Sequence, residues 1–141
     1  MTTGTPGTTA RQYSMQMAHY CRKTLTFSDV GTAVVVGVIP AGSILLQPVS
    51  GAAVTTVFNS DGTDFIDIGV SAATGGVSAN DDLFATDLDV SALGFKPLDE
   101  AVAGLLLTAD TTITATYAAG GSAATTGSAE IVIVYVPDND G

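Results

Sequence analysis

The sequence predicts an all-β domain, an antiparallel two-sheet sandwich and a jelly roll in particular, preceded by an irregular N-terminal arm. Three observations predict it. Eight or nine apolar and β-branched runs recur at short spacing, separated by Gly, Pro, Asn and Asp turn signals. The clearest run alternates with a period of two: Ile113, Ala115 and Tyr117 stand against Thr112, Thr114 and Thr116. No stretch carries a convincing helical period, and 141 residues are one domain's worth, enough to bury roughly two-thirds of the unfolded surface without staples.

The elements follow in chain order. Residues 1–10 are Thr, Gly and Pro with no periodicity and read as an arm, and residues 11–141 read as one domain. Tyr13, Met15, Met17 and His19 alternate with polar or small residues, and the pattern resumes at Leu25 and Phe27, so this stretch reads as a half-buried strand. Thr32–Ile39 is a valine strand that is apolar on both faces, ended by Pro40-Ala41-Gly42. Ile44–Val49 and Ala53–Phe58 read as two strands, or one long strand bent at Ser50-Gly51. The turn "NSDG" at Asn59–Gly62 suits a hairpin, with Asp64–Val70 as the return strand. Ser71–Asn80 reads as a loop, and Asp81–Gly94 as a short strand with a loop, because Leu83, Leu88, Val90 and Leu93 fit neither period. Ala103–Thr108 and Thr111–Ala118 are expected strands. The run "AAGGSAATTG" is then the tip of a hairpin whose partner is Ala129–Val136, again apolar on both faces. A single sandwich core covers one face of each sheet, so loops or a second subunit must cover the others, and a dimer or trimer is expected.

Composition excludes several classes. Charged residues make up 13% of the chain and apolar residues 46%, which is not the composition of a disordered chain. The apolar stretch from Ala33 to Leu46 is interrupted by Gly37, Pro40 and Gly42 and falls short of a membrane span. No signal peptide is read in "MTTGTPGTTARQ", and the single cysteine, Cys21, builds no disulfide framework, so synthesis in a reducing cytoplasm is expected. The net charge of −10 is uneven: residues 1–23 hold Arg11, Arg22 and Lys23 with no acid, while the remainder holds all 14 acids and one base, Lys96. So acidic a body disfavours nucleic acid, and the cations Arg11, Arg22 and Lys23 are the candidates for contact with a protein partner.

The candidate chemistry is thin. Asp61, Asp64 and Asp67 lie near Asn59, and the Asn59-x-Asp61-Gly62 fragment mimics part of a calcium loop, but the first and last ligand positions would be Val57 and Ile68, which cannot coordinate. Asp67 should point to solvent, opposite Ile66 and Ile68. His19 is the only histidine and extends an apolar strand face; no Gly-x-Ser-x-Gly elbow accompanies it. Arg22 and Lys23 could lower the pKa of Cys21, although a buried or interfacial thiol is the plainer reading. Phosphate loops, dinucleotide loops and zinc pairs are missing, as is the Trp that would serve a sugar platform. The expectation is a protein without catalytic residues, metal or cofactor.

Three segments together resemble a known family. "VGVIPAGSIL", "VFNSDGTDFIDIGV" and "LTADTTITATYAAGGSAATTGSAEIVIVYVPDND", in that order, are similar to small head proteins of tailed bacteriophages, the decoration or cement proteins of the capsid. The resemblance runs from about Met15 to Asp140 and rests on turns and strands, chiefly Pro40–Gly42 and "TADTTITATY". It implies a sandwich or jelly-roll fold, a place on the outer capsid surface, many copies, and the major capsid protein as partner. The alternatives are another phage component, such as a tail or fibre-base protein, or a bacterial adhesion or carbohydrate-binding module.

Overall fold

The computed structural model describes residues 18–73, 77–100 and 106–138. Nine strands form two antiparallel sheets packed face to face. They are β1 (His19–Thr26), β2 (Ala33–Ile39), β3 (Ile44–Leu45), β4 (Gly51–Thr56), β5 (Asp64–Val70), β6 (Asn80–Asp89), β7 (Gly94–Pro97), β8 (Thr111–Ala119) and β9 (Ser128–Val136). The first sheet has the order β1-β9-β4-β7, with β3 also paired to β9; the second has the order β2-β8-β5-β6. Six of the eight connections cross from one sheet to the other, which is consistent with a jelly roll.

The alternating residues do what their period predicts. Ile113, Ala115 and Tyr117 of β8, Ile131 and Ile133 of β9, and Ile66 and Ile68 of β5 meet in the core with Leu25, Ile39, Phe84 and Val36. Each buried Ile, Leu or Phe side chain contributes roughly 1.5–3 kcal/mol by leaving water. The intervening residues of the same strands, such as Thr112, Thr116, Val132 and Val134, are only half-buried.

Several expectations are corrected. Asn59–Gly62 is no hairpin turn: β4 lies in the first sheet and β5 in the second, so the segment is a crossover. The Asn59 side chain ties that crossover to the one between β8 and β9. Its Oδ1 accepts from the backbone N–H groups of Thr125 and Thr126 at 2.8 and 2.9 Å, and its Nδ2 donates to Thr125 Oγ1 at 3.0 Å. For the same reason β8 and β9 are not hairpin partners; β8 pairs with β2 and β5, and β9 with β1 and β4. The expected strand Ile44–Val49 is cut short, because Pro48 lies in a 3-10 turn at Gln47–Val49. β3 and β4 are thus two strands, the first of the two expected readings, and both run along β9. Asp81–Gly94 holds all but the first residue of the ten-residue β6, whose pairing with β5 shifts register twice, and that irregularity removes any clean period. Phe27 leaves the strand for a 3-10 turn at Phe27–Asp29. The strand expected from Tyr13, and most of Ala103–Thr108, lie outside the described residues; Leu106 forms an isolated bridge with Ile44.

Gly51 begins β4 at φ +154, and a Cβ there would collide with the carbonyl oxygen of Lys96 across the β4–β7 pair. Only glycine lets β7 close on that edge.

Candidate interaction surface

The side chains that could do chemistry do not converge. Asp64 is buried in the core, where its carboxylate accepts from the Tyr117 hydroxyl and from the Ser60 N–H. Asp67, on the opposite face of β5, is half-buried and accepts from the backbone N–H of Asp87 at 2.7 Å. Burial raises its pKa above the ordinary carboxylate value, the Asp87 N–H opposes this, and the charges of Asp87, Asp81 and Asp82 add to it. Asp61 is exposed in the crossover. Among the described residues no group of three or more His, Cys, Asp or Glu side chains could hold a metal.

His19 stacks on Tyr135, with ring centroids 5.9 Å apart and planes 27° from parallel, and its buried Nε2 has no partner among the described residues. Cys21 is half-buried against the core, and burial pushes its thiol pKa up. Alternation explains why Arg22 does not lower it: Cys21 and Leu25 pack inward, while Tyr20, Arg22 and Thr24 occupy the outer face of β1. The close approach of β2 leaves no room for a Cβ at Gly37 beside Cys21 Sγ, so the thiol belongs to the seam between the two sheets.

The surfaces are more informative. On the outer face of the first sheet, Arg22 Nε donates to Glu130 Oε2 at 2.8 Å and Thr24 Oγ1 donates to Glu130 Oε1 at 2.7 Å. The Arg22 bond, followed by that of Thr24, holds the Glu130 carboxyl below its usual range. Arg22 is therefore held within its own chain, Lys23 beside it is exposed, and Arg11 lies outside the described residues. The registers place the rest of this face. Tyr20 stands opposite Val134, Val136 opposite Ile44, and Phe95 opposite Ala53. The expectation that β9 and β2 carry a second apolar face holds: Val136, Val35 and Val38 are exposed, and Val132 and Val134 are half-buried.

Charge divides by sheet. Strands of the first sheet hold Arg22, Lys23 and Lys96 against a single acid, Glu130. Strands of the second hold Asp64, Asp67, Asp81, Asp82, Asp87 and Asp89 and no base. The N-terminal excess of bases in the sequence signals the first half of this division. The second half stays hidden until β5 and β6 are seen to be neighbours.

No family model and no curated protein matches the chain. Among solved structures the chain is similar to one from the capsid asymmetric unit of cyanophage Pam1, at 15% identity and a TM-score of 0.62, over 92% of this chain and 91% of that one. The likeness is one of fold and extends nearly end to end in both chains. No described helix is long and apolar enough to cross a membrane.

Proposed function

We propose that the chain is a structural protein of a phage particle that decorates and stabilises the capsid, attached in many copies to the outer lattice of the major capsid protein. The observation that carries this reading is the end-to-end likeness of fold to a chain of a phage capsid asymmetric unit. It agrees with the resemblance of the turn and strand segments to phage head decoration proteins. A role without catalysis is supported by how the reactive side chains are used: Asp64 and Tyr117 bond each other in the core, Cys21 lines the seam, and His19 stacks on Tyr135. Of the cations Arg11, Arg22 and Lys23, Arg11 and Lys23 are the contacts to the lattice, meeting acidic groups there, while Arg22 is taken up by Glu130. Synthesis in the host cytoplasm precedes attachment, and neither nucleic acid nor membrane takes part.

The test is binding of the purified full chain to capsids of the phage that encodes it, followed by cryo-electron microscopy. The expected result is co-sedimentation at a fixed copy number and added density on the outer head surface. Density on the tail or at a fibre base assigns the chain to that structure instead, and protein that stays in the supernatant overturns the reading.

A further inference from the structure

We infer that two copies of this chain associate through the outer faces of their first sheets, about a twofold axis, around an apolar patch at one end of that face. The patch is built from five side chains. Tyr20 is 67% exposed, Leu106 52%, Val49 51%, Ile44 43% and Val136 41%. Pairing makes Val136 and Leu106 neighbours of Ile44, Tyr20 stands opposite Val134, two residues from Val136 on the same face, and Val49 sits in the turn between β3 and β4. Val132 and Val134, half-buried on the same face of β9, continue the patch toward Arg22.

Charge decides what can cover this face. Two second-sheet faces cannot meet, since each brings Asp67, Asp81, Asp82, Asp87 and Asp89 and no base from its strands. Stacking the first sheet of one copy on the second sheet of the next would be attractive by charge. It would also strip water from those aspartates, which is costly without a base for each, and would leave an open polymer. First face on first face avoids both problems. Arg22 and Glu130 neutralise each other side by side, Tyr20 borders that pair, and Ile44, Val136 and Leu106 lie beyond it toward the other end of β9. Strands of 8, 9, 6 and 4 residues, at about 3.3 Å per residue and about 4.8 Å between strands, span on the order of 400 Å² in projection. The accessible surface of such a rugged face exceeds its projection and so approaches the roughly 800 Å² per partner of a standard interface. A twofold contact is self-complementary, so the same patch serves both copies.

The inference stands apart from attachment to a capsid, and its test uses the full chain alone. Light scattering after size-exclusion chromatography should give the mass of two chains at micromolar concentration. The mass should be unchanged between low and high salt, because apolar contacts are not screened. Ile44→Glu and, separately, Tyr20→Glu should each weaken the dimer at least tenfold while the circular dichroism spectrum and melting midpoint show a folded sandwich. Val35→Glu, on the second sheet, should leave the dimer intact. A wild-type monomer, a dimer indifferent to both patch variants, or a polymer that dissolves in salt would each overturn the proposal.

Discussion

At the scale of single residues, the decisive group is the Asp64 carboxylate, buried and without an ion pair among the described residues. Its partners are the Tyr117 hydroxyl and the Ser60 N–H, and the Tyr117 ring packs on Phe58 at 4.5 Å between centroids. Replacing Tyr117 by Phe keeps the ring and removes the donor. A buried acceptor deprived of a partner costs about 1–3 kcal/mol, so urea denaturation of Tyr117→Phe should show a loss of that order. Burial, followed by the bond to Asp64, pushes the Tyr117 pKa well above the usual tyrosine value. A folded-state pKa above the unfolded one means stability is full below the unfolded value of about 10 and falls as pH rises beyond it. The wild type should therefore lose stability above that pH more steeply than Tyr117→Phe. Asp67 works in the opposite direction at neutral pH. Its raised pKa marks a charge less comfortable folded than unfolded, and that cost is present above the raised value and disappears as pH falls through it. Asp67→Asn keeps an oxygen for the Asp87 N–H, so its melting midpoint should rise slightly at pH 7 and match the wild type at pH 3.

At the scale of elements, the sequence is legible where one strand's own pattern suffices and opaque where pairing decides. β2, β5, β8 and β9 were readable to within a residue or two, because β2 and β9 are continuous β-branched apolar runs and apolar residues alternate with others in β5 and β8. The partners were not readable. Asn59–Gly62 has turn chemistry, and turn chemistry is the same whether the chain returns to its own sheet or crosses to the other. What distinguishes the cases is non-local: the register of β4 on β9 and of β5 on β8. β7 was missed because its four residues, Gly-Phe-Lys-Pro, form no run. Of the surface, the basic β1 and the apolar second face of β9 were legible, whereas the five-residue patch was not, since Ile44, Leu106 and Tyr20 come to one face only through pairing. Gly51 is where local and non-local requirements coincide. Gly51→Ala forces an unfavourable φ and a clash with Lys96 at once, so its destabilisation should exceed the ~1 kcal/mol of an ordinary Gly-to-Ala mismatch. The measurement is thermal unfolding, with Gly94→Ala as the comparison, because φ there is +118 but a Cβ meets nothing within 4 Å. If both variants lose equally, backbone conformation alone is responsible and the edge contact with β7 contributes little.

At the scale of the whole molecule, the chain is an acidic body with a basic beginning. Residues 1–23 carry Arg11, Arg22 and Lys23 and no acid, and everything after them carries 14 acids and Lys96. The described core begins at Leu25, and residues 1–10, mostly Thr and Gly, have little apolar surface to bury. Removing Met1–Ala10 should therefore leave the melting midpoint nearly unchanged. Its effect on attachment is a separate matter. Ten extended residues reach about 30 Å, enough to cross onto a neighbouring molecule, and a tethered segment adds affinity by raising effective concentration as well as by its own contacts. Two destinations compete for it: the second-sheet face of its own chain, rich in Asp, and the capsid lattice. If the lattice wins, the truncated protein should bind capsids more weakly than the full chain at low salt. Residues 1–10 carry no Asp, Glu, Lys or Arg, so this difference should persist as salt rises, whereas a loss caused by Arg11→Glu should fade as salt screens the cation. If the segment folds back on its own acidic face, truncation uncovers carboxylates without weakening attachment, and equal decoration by the two proteins across the salt range would assign it that role.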